Sequence, residues 1–163
     1  AHTNMDNILN GVNKKIAEQL DLKNCEILSP TDDAKIGAGL IGTLKEPMDE
    51  LAFLYNLKKS MQTDCIRHTQ LLNKEISTIA LCGGSGSFLL EAAIAKKADI
   101  FITGDFKYHQ FFDAEQKIVI ADIGHYESEQ YTIILFYEIL TKKFPNFAVL
   151  LTKINTNPIN YLT

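Results

Sequence analysis

"KIVIADIGHYESEQYTIILFYEILTKKF" (117–144) passes from an apolar strand, through six mostly polar residues, into an apolar helix. Residues 117–124 are β-branched and almost continuously apolar, the pattern of a strand covered on both faces, as in a parallel sheet. Beyond the turn, Ile133, Ile134, Tyr137, Leu140 and Phe144 recur at helical spacing, which predicts a helix with one apolar stripe over 128–144. Between strand and helix stand Gly124, His125, Tyr126, Glu127, Ser128 and Glu129. A plain turn needs only a glycine and a capping residue there. A histidine and two further acids therefore pose a choice between capping a helix and holding an ion.

The same strand form recurs on either side. "TIALCG" (78–83) and "DIFITG" (99–104) match it, and "FAVLLTKI" (147–154) predicts a fourth strand. "SFLLEAAIAKKA" (87–98) and "FKYHQFFDAEQ" (106–116) read as the intervening helices. Strand–helix alternation builds right-handed crossovers, so the expected fold class is α/β, layered α/β/α, with helices on both faces of a mainly parallel or mixed sheet. In the first half, "NMDNILNGVNKKIAEQLDL" predicts a helix in which Gly11 is either a weak point or a close approach. "CEIL" reads as a strand and "GAGLIG" as an extended run. "EPMDELAFLYNLKKSM" reads as an amphipathic helix with Pro47 in its first turn, and "DCIRHT" as an edge or inner strand. Residues 29–38 are the one linker candidate.

At 163 residues and 46% apolar, residues 1–163 fit one domain with a real core. A net charge of −4 and a pI near 5.5 make no electrostatic case for nucleic acid. No apolar run approaches the length needed to cross a bilayer. Cys25, Cys65 and Cys82 are widely spaced and odd in number, which reads as reduced thiols of a cytoplasmic protein. The opening "AHTNMD", with Ala1 first, reads as a cut made through the middle of a protein.

His125 and Glu129 lie four residues apart, so both can project past a helix N-terminus toward one point above a strand's carboxyl end, where open α/β sheets collect ligands. Imidazole and carboxylate both coordinate Zn, Fe or Mn. The competing reading is that Ser128 or Glu127 caps the helix and His125 is an ordinary satisfied polar residue. His2 and Asp6 repeat the four-residue spacing, with Asp6 as a plain cap the alternative. "TGDFKYH" (103–109) offers Thr103, Asp105 and His109, where Asp105 is an N-cap, a general base or a partner orienting a metal ligand. "CGGSGS" (82–87) is either a tight turn or a phosphate cradle, without the Lys-Ser/Thr ending of a Walker loop. His68 reads as structural, and "TNPINYL" (155–161) as a docked tail forming a lip over the sheet end.

"AHTNMD", "GVN", "CGGSGS", "TGDFKYH", "GHYESE" and "TNPINYL", taken in this order, resemble the NIF-three-like family, whose members are also described as GTP cyclohydrolase I type 2 homologues. The likeness runs over nearly the whole chain. It implies a dinuclear centre with two divalent ions (Zn, Fe or Mn) per subunit. The family's metal aspartate falls on Asp6, and its metal histidine and glutamate fall on His125 and Glu129. Two more ligands, adjacent histidines upstream of HTN-x-D in the family, have no counterpart here, so three of five expected ligands are present. The resemblance further implies hydrolysis of a small-molecule or nucleotide substrate; as a mechanistic hypothesis of our own, Asp105 or His109 handles protons as a catalytic residue. It implies a homo-oligomer, a hexameric ring, as the partner state. The PII-like domain that larger members insert would fall near residues 28–36, where this chain offers only "LSPTDDAKI". The alternative function is a regulatory or scaffold protein acting through protein–protein contact.

Overall fold

The computed structural model describes residues 5–33 and 35–162. The chain runs α1 (Val12–Gln19), β1 (Lys23–Pro30), β2 (Gly37–Asp49), α2 (Glu50–Ser60), β3 (Arg67–His68) and β4 (Glu75–Ser85). It continues through a 3-10 turn (Ser87–Leu89), α3 (Leu90–Ala95), β5 (Ile100–Gly104), a 3-10 segment (Tyr108–Ala114), β6 (Val119–Asp122), α4 (His125–Glu129) and α5 (Thr132–Lys143). One six-stranded sheet has the order β1-β2-β4-β5-β6-β3. β4, β5 and β6 are parallel, with Ile79 opposite Ile100 and Ile100 opposite Val119, while the other pairings are antiparallel. The sheet is therefore mixed.

Alternation along the central strands splits the core in two. Ile79, Leu81, Ile100, Ile102 and Val119 face Ile16 of α1 and Phe53 and Leu57 of α2. Ala80, Phe101 and Ile120 face the other way, onto Leu90 and Ala93 of α3 and Phe106 before the 3-10 segment. Each wholly buried Leu, Ile or Phe contributes about 1.5–3 kcal/mol. Two such layers explain why the interior strands are apolar on both sides. The architecture is the layered α/β/α form, and all three parallel strands end at the edge that carries the polar turns.

Several expectations give way. Residues 147–154 form no strand, and Phe147, Leu150 and Ile154 are exposed, because strand composition does not itself provide a neighbour with a free edge. Within residues 106–116 the expected helix is a 3-10 segment, Tyr108–Ala114, with Lys107 at its N-cap position. The first helix is interrupted at Gly11, where a Cβ would come within 1.8 Å of the Met5 carbonyl, so this glycine marks a close approach. Pro47 lies in β2, where the register slips between Thr43 and Met48 and no ladder N–H is demanded of it. Helix α2 starts instead behind Asp49, whose carboxylate accepts from the Ala52 N–H at 3.0 Å. Residues 29–38 hold the tip of the β1–β2 hairpin, with Pro30 opposite Gly37. "DCIRHT" supplies a two-residue edge strand. Helix α5 exists, yet of its residues only Leu135 is buried, and Ile133, Ile134, Tyr137 and Leu140 face outward.

Candidate metal centre

The site is assembled where β4, β5 and β6 end. Asp122, the last residue of β6, is 3% exposed and accepts from two backbone amides, Phe106 N at 2.8 Å and Gly124 N at 3.0 Å. It also receives the Arg67 guanidinium, which donates in addition to the Phe106 carbonyl at 2.9 Å. One buried carboxylate thus fastens the "GDF" turn after β5 to the "IGH" turn after β6.

That fastening brings Asp105 to His125. The Asp105 carboxylate accepts from the His125 ring at 2.6 Å. A carboxylate only accepts, so Nδ1 carries the proton, and a neutral ring presents its Nε2 lone pair on the far side. There Nε2 lies 3.5 Å from Glu129 Oε2. The hydrogen bond donated to Asp105, reinforced by the charges of Glu129, Asp105 and Asp6, raises the His125 pKa above its ordinary value against the opposing effect of burial. Asp105 has φ +59° and is not a helix cap, and the four-residue spacing does place His125 and Glu129 side by side.

The polar residues around this pair do not cap α4. Its N-cap is Gly124, with no side-chain cap. The Ser128 hydroxyl instead accepts from Gly84 N and donates to the His125 carbonyl, both at 2.8 Å. Glu127 is buried and accepts from Asn157 Nδ2 at 3.0 Å, which docks the C-terminal tail as the TNPINYL segment suggested.

The glycine run after β4 is a close-packing device. Gly84 has φ +65°, and a Cβ there would stand 2.5 Å from Glu129 Oε1 and 3.3 Å from His125 Nε2. Its neighbours' amides are committed to the protein. Gly83 N donates to Asn13 Oδ1 at 2.8 Å and Gly86 N to Thr103 Oγ1 at 3.0 Å, while Thr103 donates back to the Gly84 carbonyl at 3.0 Å. With Gly83, Gly84 and Gly86 all engaged, the loop is not the amide cradle that a phosphate would need.

Asn13 also donates to the Asp6 carbonyl at 3.0 Å, tying the Asp6 turn to the glycine run. The Asp6 carboxylate acts on both His125 and the Cys82 thiol, which burial, with Asp6 and Glu129, pushes up to about 12. Cys82 is therefore an inert core thiol. His109 is exposed in the 3-10 segment, and no described hydrogen bond or ion pair joins it to the His125 group. His68 donates from Nδ1 to the Thr69 carbonyl at 2.7 Å, a local structural role. His2 lies outside the described residues. Sequence reasoning missed Asp122 and Asn13 as site builders and read Ser128 only as a cap, since their long-range partners, the Phe106, Gly83 and Gly84 amides, lie far along the chain.

An imidazole nitrogen beside a carboxylate oxygen, with a second carboxylate in electrostatic range, is donor chemistry that fits a divalent ion. The fit extends to two facing donors. Among the described residues no three His, Cys, Asp or Glu side chains close into a metal-holding group. Beside His125 and Glu129 opens a cavity of about 510 Å³ whose other walls include Ile133, Thr152, Ile154 and Thr156.

The model of one family, Duf34/NIF3 (NGG1p interacting factor 3), matches residues 1–158. The chain belongs to this family. Among NIF3-family relatives, the GTP cyclohydrolase 1 type 2 homolog of Streptococcus pneumoniae is 36% identical over 131 residues, 77% of this chain and 49% of that protein. The Clostridium acetobutylicum protein of the same name is 27% identical over 168 residues, 99% of this chain and 63% of its own length. The first of these shows the proportion: the chain spans about half the length of that relative. Among solved NIF3-like structures, the Bacillus cereus protein related to NIF3 superposes with a TM-score of 0.86 at 21% identity, over 99% of this chain and 72% of that one. That likeness establishes the fold. No helix among the described residues is long and apolar enough to cross a membrane.

Proposed function

We propose that this NIF3-family chain contributes a divalent-metal centre to a hydrolase that opens a small heterocyclic substrate. The name of its relatives, GTP cyclohydrolase 1 type 2 homolog, supports that reaction class. The observation that carries the reading is His125 held from one side by Asp105 and facing Glu129 on the other. Asp6, His125 Nε2 and Glu129 would hold the ions, two per subunit in the complete centre and Zn, Fe or Mn by donor type. Such ions, when bound, supply an activated water and polarise the oxygen under attack.

The chain's own residues prepare that chemistry. Asp105 is a positioning residue: by keeping the proton on Nδ1 it fixes which ring nitrogen is offered and how the ring is turned. Ser128 and Gly84 hold α4 against β4 through a buried hydrogen bond, which keeps the backbone that carries His125 and Glu129 at the strand ends. His109, exposed on the segment following Asp105, is assigned proton exchange with solvent. A cytoplasmic setting fits the three free cysteines, of which Cys65 is exposed.

The test is hydrolysis of GTP and smaller heterocycles by the full chain, with and without chelator, beside His125→Ala. Turnover that vanishes with chelator and in the variant supports the hydrolase. Turnover indifferent to both rules it out.

A second reading, an interaction protein, is favoured by α5. Ile133, Ile134, Phe136, Tyr137, Ile139 and Leu140 are all exposed on one twelve-residue helix. Apolar surface of this extent marks an interface, and assembly into a homo-oligomer, a hexameric ring by family resemblance, would cover it. Sedimentation of wild type against Ile133→Lys/Leu140→Glu checks this: a monomeric wild type removes the oligomer, and dissociation by the double variant places the contact on α5.

A further inference from the structure

We infer that the molecule taken up beside His125 and Glu129 is an uncharged, phosphate-free heterocycle or its nucleoside, and not a nucleoside polyphosphate; this rests on the hydrolase reading above and narrows its substrate class. Two independent features point the same way.

First, the cavity of about 510 Å³ against His125 and Glu129 is lined without a lysine or arginine among the described residues. Lys153 sits between Thr152 and Ile154 in sequence but is exposed and not part of the wall. Beyond what divalent ions contribute, triphosphate recognition relies on guanidinium, ammonium or clustered backbone N–H donors. Second, the clustered donors are missing as well, because Gly83, Gly84 and Gly86 spend their amides on Asn13, Ser128 and Thr103.

What the walls do offer suits a flat, neutral ring. Ile133, Ile154, Pro158 and Ile159 give an apolar face, and the volume lies within the range of small-ligand sites. Few polar groups remain for orientation. Gln130 Nε2 is committed to the Met61 and Glu127 carbonyls, and Asn157 to the Glu127 carboxylate and the Ile159 amide. The Thr156 hydroxyl is left to contact a ring substituent, and so, as a donor, is that of Thr152, which accepts from the Ile154 amide at 3.2 Å, while His125 and Glu129 face the reacting end.

The experiment is a set of NMR titrations of the isotope-labelled full chain with guanosine, GTP and inorganic triphosphate, each with and without Zn²⁺. Guanosine should shift the Ile133, Ile154 and Ile159 resonances saturably and bind at least about tenfold more tightly than GTP, with triphosphate leaving them unmoved. Thr156→Lys should reverse that order. Equal or tighter GTP binding by the wild type, or a silent guanosine titration, overturns the inference. Zn²⁺ binding is followed separately at the His125 ring. A guanosine footprint without Zn²⁺ binding defeats the hydrolase reading alone, whereas Zn²⁺ binding with GTP preferred defeats the substrate class alone.

Discussion

Replacing Asp122 should loosen both turns of the site at once and cost the fold heavily. Its carboxylate, 3% exposed as a residue, takes the Phe106 and Gly124 amides at 2.8 and 3.0 Å. Hydrogen bonds to a charged acceptor contribute about 1.5–3 kcal/mol each, and a donor left buried without a partner costs a similar amount. The Arg67 pair adds little, because that guanidinium is half exposed. Asp122→Ala should therefore lose about 3–6 kcal/mol, a large part of the roughly 5–15 kcal/mol that holds such a domain together. Asp122→Asn keeps one accepting oxygen and should lose about half as much. Urea unfolding followed by circular dichroism measures both. An Asp122→Ala protein within about 0.5 kcal/mol of wild type would show that neither amide depends on this carboxylate, and the fastening of the two turns would be wrong.

Further outcomes follow from individual contacts. Gly84→Val should destabilise by about 1–3 kcal/mol and push Glu129 off His125, visible as a changed His125 ring resonance; an unchanged ring signal refutes the close packing. The raised His125 pKa means the folded chain holds that proton more tightly than the unfolded chain does. Its contribution to stability is complete below the ordinary histidine value near 6.5 and disappears as pH climbs through the folded value. Asp105→Asn should lower the midpoint of the His125 NMR titration, and an unmoved midpoint rejects the pairing. Thiol-reactive reagents at mildly alkaline pH should label exposed Cys65 and spare Cys82, which is buried and pushed up to about 12. Rapid labelling of Cys82 in the folded chain contradicts its place in the core.

The parallel strands were legible because burial on both faces leaves an unmistakable composition: "TIALCG", "DIFITG" and "KIVIADIG" all became sheet interior. "FAVLLTKI" has the same composition and forms no strand, since pairing depends on a free neighbouring edge that composition cannot report. The stripe on α5 likewise revealed a helix without revealing whether anything covers it. In the site, the side-by-side placement of His125 and Glu129 followed from helical periodicity alone. The join between Asp105 and His125 did not, because they are 20 positions apart and meet through the parallel pairing of β5 with β6 and the shared anchor at Asp122. Gly84 looked like a turn glycine, and its real constraint is a neighbour 45 residues further along the chain, Glu129.

Calorimetric titration with Zn²⁺ of the wild-type chain, Asp6→Asn, His125→Ala and Glu129→Gln puts the whole scheme at stake. Residues at opposite ends of the chain that serve one ion should each, when replaced, weaken uptake by about tenfold or more, and pairs of replacements should cost less than the sum of the singles. Full-strength binding by Asp6→Asn, or equal binding by all four proteins, would mean that these side chains share no cation.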